Sequence, residues 1–357
     1  MLAGACKIRR RANEHPEQHT TNIEFDIKVA KVDIVAAHSS NNIIVLALGA
    51  NLAIACAKFA AFLWTGSSAM LSEAIHSVAD TSNQGLLLYG THRAKRPADA
   101  KHPFGYAREL YFWSFVVAIL LFSIGSGFSI YEGFRKLYHP HALSDPTVNY
   151  VVLIVAMALE GVALRAALRE FNRRRGDAPA FQALRSSKDP ALFTIVLEDM
   201  AAMLGLVIAF VGVGLAHMFD WPEADAIASI AIGLVLAMVA TFIAVEVKAL
   251  LIGEAAHESV QIGVRATIDD AASSRGHIVG INEIRTLQLG PNDVLVTASV
   301  DFDDTTRATH IKAATHSIET AIKAKFPEVT KFYIEVEAAE DHASMESDTT
   351  SVKPTDE

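Results

Sequence analysis

Apolar residues in this chain gather into six runs separated by short polar stretches, and each run approaches the roughly 20 residues that a helix needs to cross a bilayer. The runs predict helices over 43–64, 69–91, 111–138, 148–168, 190–218 and 224–251. The second and fifth are the least purely apolar, because His76 and Asp80 interrupt one and Glu198 and Asp199 the other. A helix carrying such groups is expected to face the bundle interior rather than lipid. After Gly253 the period changes. Residues 258–275 read as an amphipathic helix, and 281–289 and 294–302 alternate like strands around the turn Gly290-Pro291-Asn292-Asp293. Residues 307–325 read as a second helix, with Thr305 or Thr306 as its cap, and 331–336 as a third strand. The order αββαβ predicts a two-layer domain with helices on one face of a sheet. The fold expected is therefore a membrane all-α six-helix bundle followed by a cytosolic α+β domain. Its parts are an arm over 1–40, a transmembrane domain over 41–253, the αββαβ domain over 254–340 and a polar tail over 341–357, expected to be disordered.

Composition supports a membrane protein: of 357 residues 51% are hydrophobic, and they cluster instead of spreading through the chain. The net charge of -9 argues against nucleic acid as a partner. Cys6 and Cys56 provide neither a CxxC site nor a disulfide framework. The basic group Lys7-Ile8-Arg9-Arg10-Arg11 lacks the apolar stretch of a signal peptide after it and reads as a cytosolic flank or arm. The connection 92–108 carries Arg93, Lys95, Arg96, Lys101 and Arg108, and the connection 169–188 carries Arg169, Arg173, Arg174, Arg175, Arg185 and Lys188. The alternate connections 65–68, 139–147 and 219–223 contain no Lys or Arg. The positive-inside rule then places both basic loops and both termini in the cytoplasm. Arg135 and Lys136 lie at the opposite end of the third span and are expected to snorkel to the headgroups. Compact loops point to a multi-pass protein of a bacterial inner membrane.

His76 and Asp80, four residues apart, share one helix face. One imidazole nitrogen and one carboxylate suit a divalent cation such as zinc. Glu198 is the best-placed third ligand, and with Asp80 it would neutralise the ion. When the ion leaves, repulsion between the carboxylates favours proton uptake, so metal–proton exchange needs no further component. Asp199 points about 100° away from Glu198 and is either a direct ligand or a supporting group. A His–carboxylate hydrogen bond between helices, with no ion, is the other reading of the same residues. Asn51 and Asn83 are expected to bond neighbouring helices. No HExxH and no nucleophile–base pair stands out, so catalysis is not expected.

The run Gly66-Ser67-Ser68-Ala69-Met70-Leu71-Ser72-Glu73-Ala74-Ile75-His76-Ser77-Val78-Ala79-Asp80 resembles the signature of the cation diffusion facilitators. The stretches Arg96-Pro97-Ala98-Asp99-Ala100-Lys101-His102-Pro103-Phe104-Gly105-Tyr106 and Pro222-Glu223-Ala224-Asp225 extend the likeness, which covers roughly 40–338. The resemblance implies a homodimer in the lipid bilayer that exports a divalent metal from the cytosol in exchange for protons, with no resident cofactor. Zinc is the first expectation for the cargo, with Mn²⁺, Fe²⁺ and Co²⁺ as alternatives. The fifth-span Glu198-Asp199 resembles the branch that includes the mitochondrial zinc transporter. The family's usual second carboxylate, four residues on, is Ala202 here. The resemblance also implies a loop site at Asp99 and His102, near Tyr106. The terminal-domain positions where some members bind zinc fall at Asn282, Ser299 and Glu335; His257, His277, His310 and His316 lie elsewhere in that domain. Arg108 and Glu254 sit where some members carry a charge interlock. A non-transporting membrane scaffold or signalling protein that reuses the fold is the alternative.

Overall fold

Two residues after helix α1 (Asn51–Thr65), the Ser67 hydroxyl accepts the Met70 N–H at 3.2 Å and opens helix α2 (Ser68–Ala94) with an N-cap. In the computed structural model the described residues are 51–139, 146–275 and 277–350. Residues 43–50 of the first expected span, and the arm before them, lie outside these. Contacts divide the chain at Asn51, and Leu52–Glu357 forms one unit.

Helices α3 (Glu109–Tyr138), α4 (Pro146–Arg175), α6 (Pro190–Met218) and α7 (Glu223–Ile252) are long and apolar enough to cross a membrane, four among the described residues. The short helix α5 (Ala180–Arg185) lies in the second basic connection. Helix α2 is 27 residues long but too polar to qualify, because its buried face carries Ser68, Ser72, Glu73, His76, Ser77 and Asn83. That face is enclosed by other helices, as expected of charge placed inside an apolar segment. Helix α4 is the opposite case: only 17% of its apolar window is buried. Its inward residues Asn149, Leu153, Ala156 and Glu160 form a single stripe at helical spacing.

Small residues let the backbones of α3, α6 and α7 approach closely. A Cβ on Gly212 of α6 would lie 2.3 Å from the Ala228 Cβ of α7, and one on Gly233 of α7 would lie 2.6 Å from Ile130 of α3. Gly212→Leu is expected to force α6 off α7 at a cost of about 1–3 kcal/mol. The melting temperature of the purified protein in detergent should fall by several degrees, and an unchanged value would mean the helices are not packed at this point.

Lys136 does not snorkel. It is 6% exposed, and its ammonium lies 2.8 Å from Asp225 and 2.8 Å from the Gly66 carbonyl. An internal carboxylate at the start of α7 makes this position favourable for a buried cation. Arg135 remains exposed and pairs with Glu132 at 2.7 Å.

Beyond Gly253 the order is α8 (Glu258–Arg275), β1 (Ile278–Gly290), β2 (Asp293–Phe302), α9 (Ala308–Lys325) and β3 (Val329–Val336). The three-stranded sheet runs β1-β2-β3, with β1/β2 antiparallel and β2/β3 parallel. Every second residue of β2, from Val294 through Val296, Ala298 and Val300 to Phe302, points into the core. Val260, Val264 and Ile268 of α8 and Ala314, Ile318 and Ile322 of α9 cover that face at four-residue spacing. The polar tail departs from expectation, since Ala339–Thr350 forms helix α10. Its Ala339 N–H donates to Asp301 at 3.3 Å, and Glu340 and Asp341 lie in its first turn, where the helix dipole favours acids. Residues 351–357 lie outside the described residues.

Candidate metal centre

Helix α2 holds its polar groups in layers along its axis. Counting from Ser68, Glu73 comes after about 7.5 Å of helix rise, His76 after about 12 Å, Asp80 after about 18 Å and Asn83 after about 22 Å. The His76 ring is 1% exposed, with Nε2 3.4 Å from Asp80 Oδ2. That contact lacks hydrogen-bond geometry, and both ring nitrogens and Asp80 Oδ1 are buried without a hydrogen-bond partner. Buried nitrogens and oxygens of this kind are costly unless something else satisfies them. Across from α2, Asp189 caps α6 by accepting from Leu192 at 3.4 Å, with Pro190 in the first turn. Two turns along, Glu198 is 4% exposed and accepts the Asn83 amide at 2.8 Å. Asp199, one residue on, is half-buried and lies within electrostatic range of Asp80.

The structure thus pairs His76 with Asp80 and ties Glu198 to the same face of α2 through Asn83, the interhelical bond expected of that asparagine. Among the described residues no three His, Cys, Asp or Glu side chains converge as a ready-made metal site. Ala202 is 1% exposed and packed into the core, with no ligand atom to offer.

Three charged residues that sequence spacing did not single out join this region. Lys58 of α1 is fully buried and donates to Glu73 at 3.0 Å and to Ser77 at 2.8 Å. Glu160 of α4, 9% exposed, interacts electrostatically with Lys58, Glu73 and Asp80. Lys58 and Glu160 each stand alone among apolar residues, and Glu73 lies three residues before His76 in the Gly66–Asp80 run.

The loop between α2 and α3 uses Asp99 differently from a free ligand. Its Oδ1 accepts the N–H groups of Lys101 at 2.9 Å and His102 at 2.7 Å, and its Oδ2 accepts the Tyr106 hydroxyl at 2.6 Å. The Tyr106 bond and then the His102 N–H hold the Asp99 carboxyl down at about 2. A depressed carboxylate stabilises the loop above its ordinary value of about 3.9 and loses that contribution as pH falls through the folded value. Tyr106→Phe is expected to raise the Asp99 pKa toward the ordinary range in an NMR titration; no movement would remove the hydroxyl as the cause. His102 Nδ1 lies 3.5 Å from Asp99 Oδ1, and both side chains are half exposed.

In the terminal domain, Asn282 donates to Ser299 at 3.0 Å, Ser299 donates to Glu337 at 3.0 Å, and His342 bonds Glu337 at 2.8 Å. These positions are occupied by a satisfied polar network, while Glu335 pairs with Ser299 in register and is exposed. The His277 and His310 rings lie with centroids 4.9 Å apart, tilted by 36°. Glu254 pairs with Lys188 at 3.0 Å and not with Arg108, because Lys188 reaches it from the second basic connection.

Residues 44–252 match the cation efflux transmembrane domain. The chain is 33% identical over 248 residues to the mitochondrial proton-coupled zinc antiporter of Homo sapiens, covering 69% of this chain and 43% of the human protein. It is 30% identical over 281 residues to metal tolerance protein C4 of Arabidopsis thaliana, covering 77% and 60%. It is 24% identical over 271 residues to the cation-efflux pump FieF of Serratia proteamaculans, covering 76% and 83%. The chain therefore spans less than half the length of the human relative.

Proposed function

The chain belongs to the cation efflux family, and from that premise we propose that it exports a divalent metal from the cytosol in exchange for protons. Zinc is the cargo to test first, because the human relative is named a proton-coupled zinc antiporter. The observation that carries this reading is His76, a buried imidazole with both nitrogens unpartnered and Asp80 beside it. His76, Asp80 and Glu198 bind the ion, with Asp199 completing or supporting the set where Ala202 supplies nothing. Two carboxylates neutralise the divalent charge, which makes the ion tolerable in a dry bundle. Oxygen-rich coordination leaves Mn²⁺, Fe²⁺ and Co²⁺ as competing cargoes. Asp99 and His102 would serve at most as a weak loop site, since both Asp99 oxygens are engaged.

In this reading six helices cross the membrane: α1 and α2 join the four long apolar helices. Both basic connections, both termini and the terminal domain face the cytoplasm. Two copies associate through the terminal domain as a homodimer. Transport proceeds by alternating access, and the Asp225–Lys136 contact ties α3 and α7 together at the Ser68 end of α2. The bacterial inner membrane is the location proposed from the compact loops, and fluorescence on an internal organelle would replace it. Absence of a ready three-ligand cluster among the described residues favours the scaffold reading.

Reconstituted vesicles separate the two readings. The antiporter should take up Zn²⁺ under an imposed pH gradient and release protons in step with it. Well-folded protein that moves no metal of the four would leave the scaffold.

A further inference from the structure

Resting on the antiporter reading, we propose that Glu73 and Glu160 form a second divalent-cation station, about one turn of α2 beyond His76 toward the Ser68 end. In the conformation described, the Lys58 ammonium stands in for that cation.

Two side chains point to a ligand. Glu73 is fully buried, and only its Oε2 is engaged, by Lys58 at 3.0 Å; its Oε1 has no partner. That oxygen is directed at Gly205 of α6, where an added Cβ would come within 2.5 Å of it. Glu160 is 9% exposed and has no hydrogen bond or ion pair among the described residues. It lies on the inward stripe of α4, whose Asn149 is anchored to α1 by the Thr65 hydroxyl at 2.8 Å. Lys58 is two turns from Thr65 on the same helix, so Lys58 and Glu160 extend the same α1–α4 contact into the bundle. A Cβ on the neighbouring Gly161 would lie 3.4 Å from Met203, so this turn of α4 faces the turn of α6 that carries Gly205.

Charge accounting gives the station its role. One ammonium, bonded to Glu73 and within electrostatic range of Glu160, leaves one of the two buried negative charges uncompensated, which is expensive at low dielectric. A divalent cation neutralises both, and oxygen ligands of this type accept hard and borderline divalent metals. Lys58 also lies within electrostatic range of Asp80. An ion leaving His76, Asp80 and Glu198 for Glu73 and Glu160 therefore exchanges places with one positive charge: Lys58 turns toward the emptied carboxylates as the metal takes its position. The stop that holds the metal is neutral, and the one negative charge left on the emptied carboxylates is neutralised by one proton taken up there, as the antiporter reading requires.

The test is zinc stoichiometry in detergent by titration calorimetry, with zinc flux measured beside it. Removing the stand-in should expose the station, so Lys58→Met, or Lys58→Gln where the methionine variant does not fold, should bind one more zinc per chain than wild type. Adding Glu160→Gln should abolish that extra equivalent. Glu160→Gln alone should keep the wild-type affinity for zinc and lose at least tenfold in flux. No extra equivalent in the lysine variants, or wild-type flux in Glu160→Gln, would make Lys58 and Glu73 a structural pair only. Loss of the wild-type equivalent in Glu160→Gln would assign Glu160 to the His76 site and overturn the second station. Wild type without flux fails the antiporter reading itself, before any variant is needed.

Discussion

Asp80→Ala is expected to abolish zinc flux in reconstituted vesicles while leaving the protein as stable as wild type or more so. The carboxylate is one of two that would neutralise the ion, and His76 contributes no charge as a ligand. Without it, a divalent ion held by His76 and Glu198 carries one uncompensated charge away from water. The penalty is several kcal/mol, and about 2.7 kcal/mol already corresponds to a hundredfold loss of affinity. Stability should move the other way. Asp80 Oδ1 has no hydrogen-bond partner, and the nearest approach of Oδ2 to His76 is 3.4 Å without hydrogen-bond geometry. Removing a carboxylate that the resting fold does not satisfy relieves desolvation instead of breaking a bond. Flux lost together with an unchanged or raised melting temperature is the signature of a functional site. A helix–helix hydrogen bond would give the reverse, with metal-independent destabilisation, and wild-type flux in Asp80→Ala would remove this residue from the ion's path. Glu198→Ala should also lose flux, but it frees the Asn83 amide, so some loss of stability should accompany it.

The bundle and its terminal domain were legible where burial imposes a period. The β2 alternation and the four-residue spacing of Val260, Val264 and Ile268 follow directly from which faces meet the sheet. His76 and Asp80 were legible because two ionisable residues share one face of a single helix, and Glu198 because it interrupts an apolar run. Lys58, Glu73 and Glu160 were not, since their relationship joins three helices, and no spacing within one helix encodes it. Lys136 was misplaced for the same reason. Its position near a helix end suggests a headgroup contact, but Asp225 comes from 89 residues away. The helix at Ala339–Thr350 was hidden by polar composition, because its start is fixed by Asp301 in a strand and not by a periodic apolar face.

Asp225→Ala should produce the largest loss of stability of any single substitution considered. Its carboxylate is fully buried and is the meeting point of three helices. Oδ1 accepts the Ser67 hydroxyl at 2.5 Å; Oδ2 accepts the Ser68 N–H at 2.7 Å, the Ser68 hydroxyl at 2.9 Å and the Lys136 ammonium at 2.8 Å. Alanine removes all four at once. The start of α2 loses both a bond to an orphan N–H and the negative charge that complements its dipole. Lys136 is left with the Gly66 carbonyl as its remaining partner among the described residues, inside a protein environment that does not hydrate it. Breaking a buried pair from one side typically costs about 3–5 kcal/mol, whereas replacing both partners by apolar groups is often close to neutral. Asp225→Ala should therefore lower the melting temperature sharply, and Asp225→Ala/Lys136→Met should recover most of the loss. The recovery separates the stranded ammonium from the lost caps: a double variant no more stable than the single one would assign the cost to Ser67 and Ser68. A single variant as stable as wild type would mean that water reaches Lys136, and the Ser68 end of the bundle would then be open in the resting protein.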